Sequence, residues 1–213
     1  MKKIGLIFDM DGTLWDSAEK VAEAWTKIAK ERYPDIKVIT TEDVKGVMGQ
    51  TMDKVADILF SSLEKDERMA LLEECGNYEN EYLREQGAIL YPELRQTMEV
   101  LRNKYHLYIV SNCQSGYIEA FLDHYEFWDL FEDIECYGNN NLKKGDNIKN
   151  IVERNHLDAA YYVGDIQGDY DSSCEAGVGF IHAAYGFGKI DAKVPRINAL
   201  SELPEVVDGL VER

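Results

Sequence analysis

The chain predicts an α/β fold, a doubly wound parallel sheet core with an inserted all-helical cap domain. Three observations carry that prediction. Short apolar runs without helical period recur along the chain, and amphipathic helical patterns separate most of them. One long stretch, from about residue 16 to 88, carries only helix-like periodicity. Polar and charged side chains follow directly on several apolar runs, at the carboxyl ends of the expected strands.

The first run, "KIGLIFD", reads as a buried strand that stops at Asp9. The helical stretch follows. "SAEKVAEAWTKIAKERY" sets Val21, Ala24, Trp25, Ile28 and Ala29 on a common face. "TTEDVKGVMG" opens on a cap-like threonine followed by acids, which suit a helix N-terminus. "TMDKVADILF" and the highly charged "LEKDERMALLEECGNYENEYLREQG" continue in helical style. The sheet is expected to resume near Tyr91-Pro92, with Pro92 in the first turn of a helix that places Leu94, Met98 and Leu101 together. "LYIVSN", "DIECYG", "AYYVGD" and "GFIHAAYG" read as further buried strands, and "SGYIEAFLDHYEFW" and "KGDNIKNIVERNH" as helices between them. Strands alternating with helices imply right-handed crossovers. The expected division is a core of residues 1–15 and 89–213 and a cap of residues 16–88.

Composition narrows the partners. With 40 acidic residues against 23 Lys and Arg, the net charge is −17. That excess argues against nucleic-acid backbones and anionic membrane surfaces, which need clustered cations. A small phosphorylated ligand stays compatible, because a metal and one lysine could meet its charge locally. Cys75, Cys113, Cys136 and Cys174 form no CxxC pair, so reduced core thiols in a cytoplasmic protein are expected. The apolar run in "MKKIGLIFDM" is too short for a signal peptide, and Asp9 and Asp11 interrupt it. No other segment approaches membrane-spanning length. Nothing in the pattern bears on oligomeric state.

The strand ends carry the chemistry. Asp9 and Asp11 close the first strand, Ser111 and Asn112 another, Asp165 and Asp169 a third, and Lys143 or Lys144 precedes a helix. Carboxylates converging at about 4 Å cost on the order of 4 kcal/mol per pair at an effective dielectric near 20. A divalent cation would relieve that cost, and an all-oxygen ligand set favours Mg²⁺. Asp9 and Asp11, two residues apart on an extended chain, face the same side. One could stay ionised and attack phosphorus while the other carries a proton. Gly12 permits a tight bend whose N–H groups could cradle phosphate oxygens.

In order and spacing, "FDMDGTLWDS", "VSNCQ", "KKGDN" and "VGDIQGDYDSS" resemble the four motifs of the haloacid dehalogenase-like hydrolase superfamily. The helical stretch lies at that superfamily's first cap-insertion site, as in its phosphoglycolate phosphatase and β-phosphoglucomutase-like group, whose core is Rossmann-like. The resemblance implies Asp9 as nucleophile and Mg²⁺ ligand, and Asp11 as general acid/base with its backbone carbonyl on the metal. It implies Ser111, helped by the amide of Asn112, and Lys144 as phosphate-binding groups. Asp165 and Asp169 would complete the Mg²⁺ site. Lys144-Gly145 matches the motif better than Lys143, although the superfamily commonly has lysine-proline there. Gln50, in the cap loop "MGQT", is the expected substrate contact.

The implied activity is a Mg²⁺-dependent phosphatase of a small phosphorylated metabolite, acting through an aspartyl-phosphate. A β-phosphoglucomutase-like phosphomutase is the alternative within the superfamily, and a non-catalytic phospho-ligand-binding protein the alternative outside it. Phosphonate hydrolysis would require a cap lysine, Lys45 or Lys54, as a Schiff base. Dehalogenation has no use for a proton-carrying Asp11.

Overall fold

Strand β1 (Ile4–Phe8) is buried along its whole length, which places it inside a sheet covered on both faces. The computed structural model describes residues 2–212. After β1 come a short strand β2 (Trp15–Asp16) and four helices, α1 (Ala18–Arg32), α2 (Thr41–Lys45), α3 (Met52–Leu59) and α4 (Lys65–Gln86). A short strand β3 (Ile89–Leu90) pairs antiparallel with β2, so the helical segment leaves and returns through one two-stranded ribbon. The rest alternates: α5 (Leu94–Leu101), β4 (His106–Ser111), α6 (Tyr117–Tyr125), β5 (Asp133–Cys136), α7 (Tyr137–Asn140), α8 (Lys144–Arg154), β6 (Ala159–Gly164), α9 (Gln167–Ala176), β7 (Gly179–Ala183), β8 (Arg196–Ile197) and α10 (Leu203–Val211).

The six-stranded sheet has the order β5-β4-β1-β6-β7-β8. Every neighbouring pair in it is parallel. The chain winds outward from β1 to one side through β4 and β5, then returns to the other side through β6. The switch point therefore falls at the carboxyl end of β1, where a crevice opens between β4 and β6. Alternate residues of β1 feed two cores. Leu6 and Phe8 join a core with α5, α6 and α10 that continues into the helical insertion through Val21, Val44 and Leu72. Ile7 packs with Tyr108, Val110, Tyr162 and the helices α8 and α9 on the opposite face.

Sequence and structure part company in three places. The main sheet resumes at His106, not near Tyr91-Pro92, where the chain forms only the ribbon strand β3. Pro92 lies outside α5, because Glu93 takes a left-handed conformation (φ 62°) and the helix begins at Leu94. Leu94, Met98 and Leu101 are nevertheless buried together. Of the four cysteines, all free, Cys75 and Cys136 are buried, but Cys174 is exposed. The threonine signal was sound: Thr40 caps α2, accepting from the Asp43 N–H while the Asp43 carboxylate accepts from the Thr40 N–H.

Candidate active site

The site is built where three parallel strands end. β1 delivers Asp9, whose N–H donates to the Val163 carbonyl of β6 (2.9 Å), so the ladder extends one residue beyond the strand. β6 delivers Asp165, and the first turn of α9 delivers Asp169. Asp169 Oδ2 accepts from the backbone N–H groups of Asp165 (3.0 Å) and Ile166 (3.2 Å), which holds the turn between strand and helix. Lys144 opens α8 and reaches under the sheet edge. Its Nζ donates to Asp9 Oδ1 (2.9 Å) and Asp169 Oδ1 (2.7 Å). These four side chains are almost fully enclosed: Asp9 3%, Asp165 1%, Asp169 0% and Lys144 3% exposed.

Asp9, Asp165 and Asp169 each present a carboxylate oxygen, and the three oxygens lie within 4.8 Å of one another. One ammonium faces three buried carboxylates, so the cluster is left with excess negative charge. Burial, then the Asp169 charge, pushes the Asp9 carboxyl up to about 7, even with Lys144 pulling the other way. Burial followed by Asp169 and Asp9 pushes Asp165 up to about 8, although it accepts from the Phe187 N–H (2.6 Å). Burial works against the Lys144 ammonium, but Asp169 and Asp9 outweigh it and hold its pKa above the ordinary value. Three hard oxygens with unspent charge fit a small divalent cation.

Asp11 stands in a different environment. It is half-buried, and its carboxylate belongs to a hydroxyl network rather than to the trio. Ser17 Oγ donates to Asp11 Oδ1 (2.5 Å), and the Tyr117 hydroxyl lies 2.8 Å and 3.0 Å from the two carboxylate oxygens. Burial raises Asp11 to about 6, while the Ser17 and Tyr117 hydrogen bonds restrain the rise. Between the two aspartates and β2, Gly12 adopts φ 80°, and a Cβ there would sit 2.2 Å from Asp165 Oδ2. Only glycine lets the turn bring the two strand ends that close.

The remaining sequence candidates divide. Ser111 is buried at the end of β4, on the wall of a cavity that runs from Asp11 up between the sheet and the helical insertion. Asn112 lines it too, but its side-chain Nδ2 donates to the Gly49 carbonyl (2.8 Å), tying β4 to the loop between α2 and α3. Gly49 itself has φ 76°, and a Cβ would meet Ile166 at 2.3 Å, so this loop rests directly on the residue after Asp165. Gln50 lies on the cavity lip and is exposed. The structure brings Lys144 to the carboxylates, whereas Lys143 is exposed. Lys45 pairs with Asp16 (3.3 Å) and lies over the Phe187 ring (5.3 Å), away from the cavity wall, and Lys54 is exposed.

Four residues of the site are assigned no role from the sequence, although Ser17 closes the first motif. Ser17 and Tyr117 hold Asp11, and Trp25 and Glu79 meet in the roof of the cavity, where Trp25 Nε1 donates to Glu79 Oε2 (2.5 Å). Tyr117 is 106 residues from Asp11, and Glu79 is 54 from Trp25. The nearest hint was the burial of Trp25 on the apolar face of a helix next to the first motif.

Carboxylates thus gather at the switch point of a parallel α/β sheet, beside one buried lysine and under a helical insertion. The chain belongs to the haloacid dehalogenase-like hydrolase family, whose model matches residues 6–183. It is similar to a phosphoglycolate phosphatase of Aquifex aeolicus (strain VF5), at 26% identity covering 96% of each chain. In fold it resembles a haloacid dehalogenase-like family hydrolase from Streptococcus pneumoniae, with a TM-score of 0.76, 23% identity, and 95% and 98% of the two chains covered. It also resembles the β-phosphoglucomutase of Clostridium difficile, with a TM-score of 0.76, 19% identity and complete (100%) coverage of both chains. No helix among the described residues is long and apolar enough to cross a membrane.

Proposed function

We propose that this chain is a Mg²⁺-dependent phosphatase that hydrolyses a small phosphorylated metabolite in the cytoplasm through an aspartyl-phosphate on Asp9. The observation that carries the reading is the contrast between two aspartates two residues apart. Asp9 is locked to Lys144 in an acidic cluster, whereas Asp11 is held by two hydroxyls on the cavity side. The similarity to phosphoglycolate phosphatases supports a small phosphate monoester as substrate.

Asp9 Oδ attacks phosphorus, and the bond from phosphorus to the alcohol oxygen breaks as the new P–O bond forms. Asp11, protonated, gives its proton to the departing oxygen. In the second half, Asp11 takes a proton from water as the water oxygen attacks the aspartyl-phosphate, freeing phosphate and regenerating Asp9. Lys144 neutralises charge on the transferring group and keeps Asp9 oriented. Ser111 and the N–H groups around Asn112 and Gly12 receive phosphoryl oxygens. Asp9, Asp165 and Asp169, with the Asp11 backbone carbonyl, would hold Mg²⁺. When bound, the ion supplies positive charge that keeps Asp9 ionised and offsets the charge of the phosphoryl group. The segment 16–88 acts as a cap over the core formed by 1–15 and 89–213, excluding water while the phosphoryl group transfers.

The test is release of inorganic phosphate from p-nitrophenyl phosphate and a metabolite-ester panel, with Mg²⁺ and with EDTA, for wild type and Asp9→Asn. Mg²⁺-dependent release that Asp9→Asn abolishes is expected. Conversion of a sugar phosphate to its isomer without phosphate release would favour the mutase instead. Equal rates in both proteins, or binding without turnover, would overturn the reading.

A further inference from the structure

The roof of the cavity holds an acid that the proposed reaction does not use. Glu79, on α4, is 2% exposed and lines the same cavity as Asp11 and Ser111. Trp25 Nε1 donates to its Oε2 (2.5 Å), and the Gln114 side chain, also in the lining, is a second hydrogen-bond partner. The lining mixes Val21, Val44, Val47 and Val55 with the uncharged polar side chains of Asn112, Gln114 and Tyr117. No lysine, arginine or histidine is among the described residues that line this cavity. Burial, and further out the Asp11 charge, push the Glu79 carboxyl up to about 8. A carboxyl group enclosed in that way is costly unless a complementary group arrives with the ligand.

The alcohol half of a phosphate ester bound at Asp9 would extend past Asp11 into this roof. A carboxylate on that alcohol would face Glu79 in a wall without a cation. A protonated amine would meet the Glu79 carboxyl group, which it could hold ionised in a charge-assisted pair. Resting on the phosphatase reading above, we propose that Glu79, oriented by Trp25, selects the leaving group. The enzyme takes phosphate monoesters of small amino alcohols and discriminates against those of hydroxy acids.

Three esters on one two-carbon skeleton isolate the charge: 2-aminoethyl phosphate, 2-hydroxyethyl phosphate and 2-phosphoglycolate. An ammonium can pair with Glu79 and hold it ionised, whereas a carboxylate finds no cation among the described residues of this lining, so kcat/KM should fall in that order, by about 100-fold or more from first to last. Glu79→Gln keeps an acceptor for the Trp25 N–H and removes the charge, and it should compress the spread to under about tenfold. A second measurement needs neither metal nor turnover: 2-aminoethyl phosphate should raise the Tm of wild-type protein more than 2-phosphoglycolate does, and Glu79→Gln should erase the difference. Should 2-phosphoglycolate be the best substrate and the stronger stabiliser of wild type, the proposal is wrong. A spread unchanged in Glu79→Gln would make Glu79 a structural partner of Trp25 alone. If no ester is hydrolysed, p-nitrophenyl phosphate included, the phosphatase reading fails, and the Tm ranking still decides the role of Glu79.

Discussion

At the floor of the cleft, Asp9, Asp165 and Asp169 crowd three buried carboxylates around Lys144, on strand ends that parallel pairing holds rigid. At the roof, Glu79 is equally buried, yet its partners are the Trp25 indole N–H and the Gln114 side chain, and no cation lines its cavity among the described residues. Both regions confine negative charge, but they lack different things. The floor has a surplus of hard oxygen ligands that a divalent cation would neutralise, whatever the substrate. The roof has one acid, Glu79, with no cationic side chain beside it among the described residues that line the cavity, so a compensating charge would come on the substrate. A cleft divided in this way can keep one phosphoryl-transfer chemistry while the roof changes the alcohol it accepts.

Substitutions at the floor should cost the most. Asp9→Asn removes the attacking oxygen's charge, and phosphate release should fall by on the order of 10⁴-fold or more, measured in single-turnover assays. Asp11→Asn keeps the shape of the turn but cannot exchange a proton, so kcat should drop about 10³-fold. Lys144→Met leaves the buried acids without their ammonium. Metal-free protein should lose about 3 kcal/mol in urea unfolding, as expected when one partner of a buried pair is removed. Tyr117→Phe deletes one restraint on the Asp11 pKa. A rate loss of about tenfold is expected, together with a shift of the Asp11-dependent limb of the pH–rate profile to higher pH.

The smallest effect concerns metal-free stability. Asp9 at about 7 and Asp165 at about 8 both lie above their ordinary value of 3.8. Between those limits the folded protein binds more protons than the unfolded chain, so its stability falls as pH rises. The contribution is complete below about pH 4 and is lost as pH climbs through 7 to 8. In EDTA, Tm should therefore drop by several degrees between about pH 5.5 and about pH 8. Mg²⁺ should restore more at the upper end, because the ligands it needs are ionised there. A flat or rising Tm in EDTA would mean that Lys144 already satisfies the cluster.

Much of the floor was legible in the chain itself. Asp9, Asp165 and the helix-opening Lys144 each sit at the edge of an apolar run or a helical pattern, and strand ends in a parallel sheet share one rim. The choice between Lys143 and Lys144 needed the helix phase, which turns one ammonium into the sheet and the other into solvent. The side-chain bond of Asn112 to Gly49, across 63 residues, was likewise beyond reach of the motifs. Pro92 misled for a local reason, because the left-handed Glu93 postpones the helix that the proline seemed to start.

By itself, then, the sequence determined the alternation of strand and helix, the place of the insertion and the oxygen-rich chemistry at the strand ends. All of these are local, encoded in period, capping and the residue that follows each apolar run. The tertiary structure alone decided that Asp11 answers to Ser17 and Tyr117, and that Glu79 and Trp25 share one cavity with it. Those groups come from helices whose apolar faces set only that they pack. Which polar side chain ends beside which depends on the angle and register of packing, and no single segment carries that information.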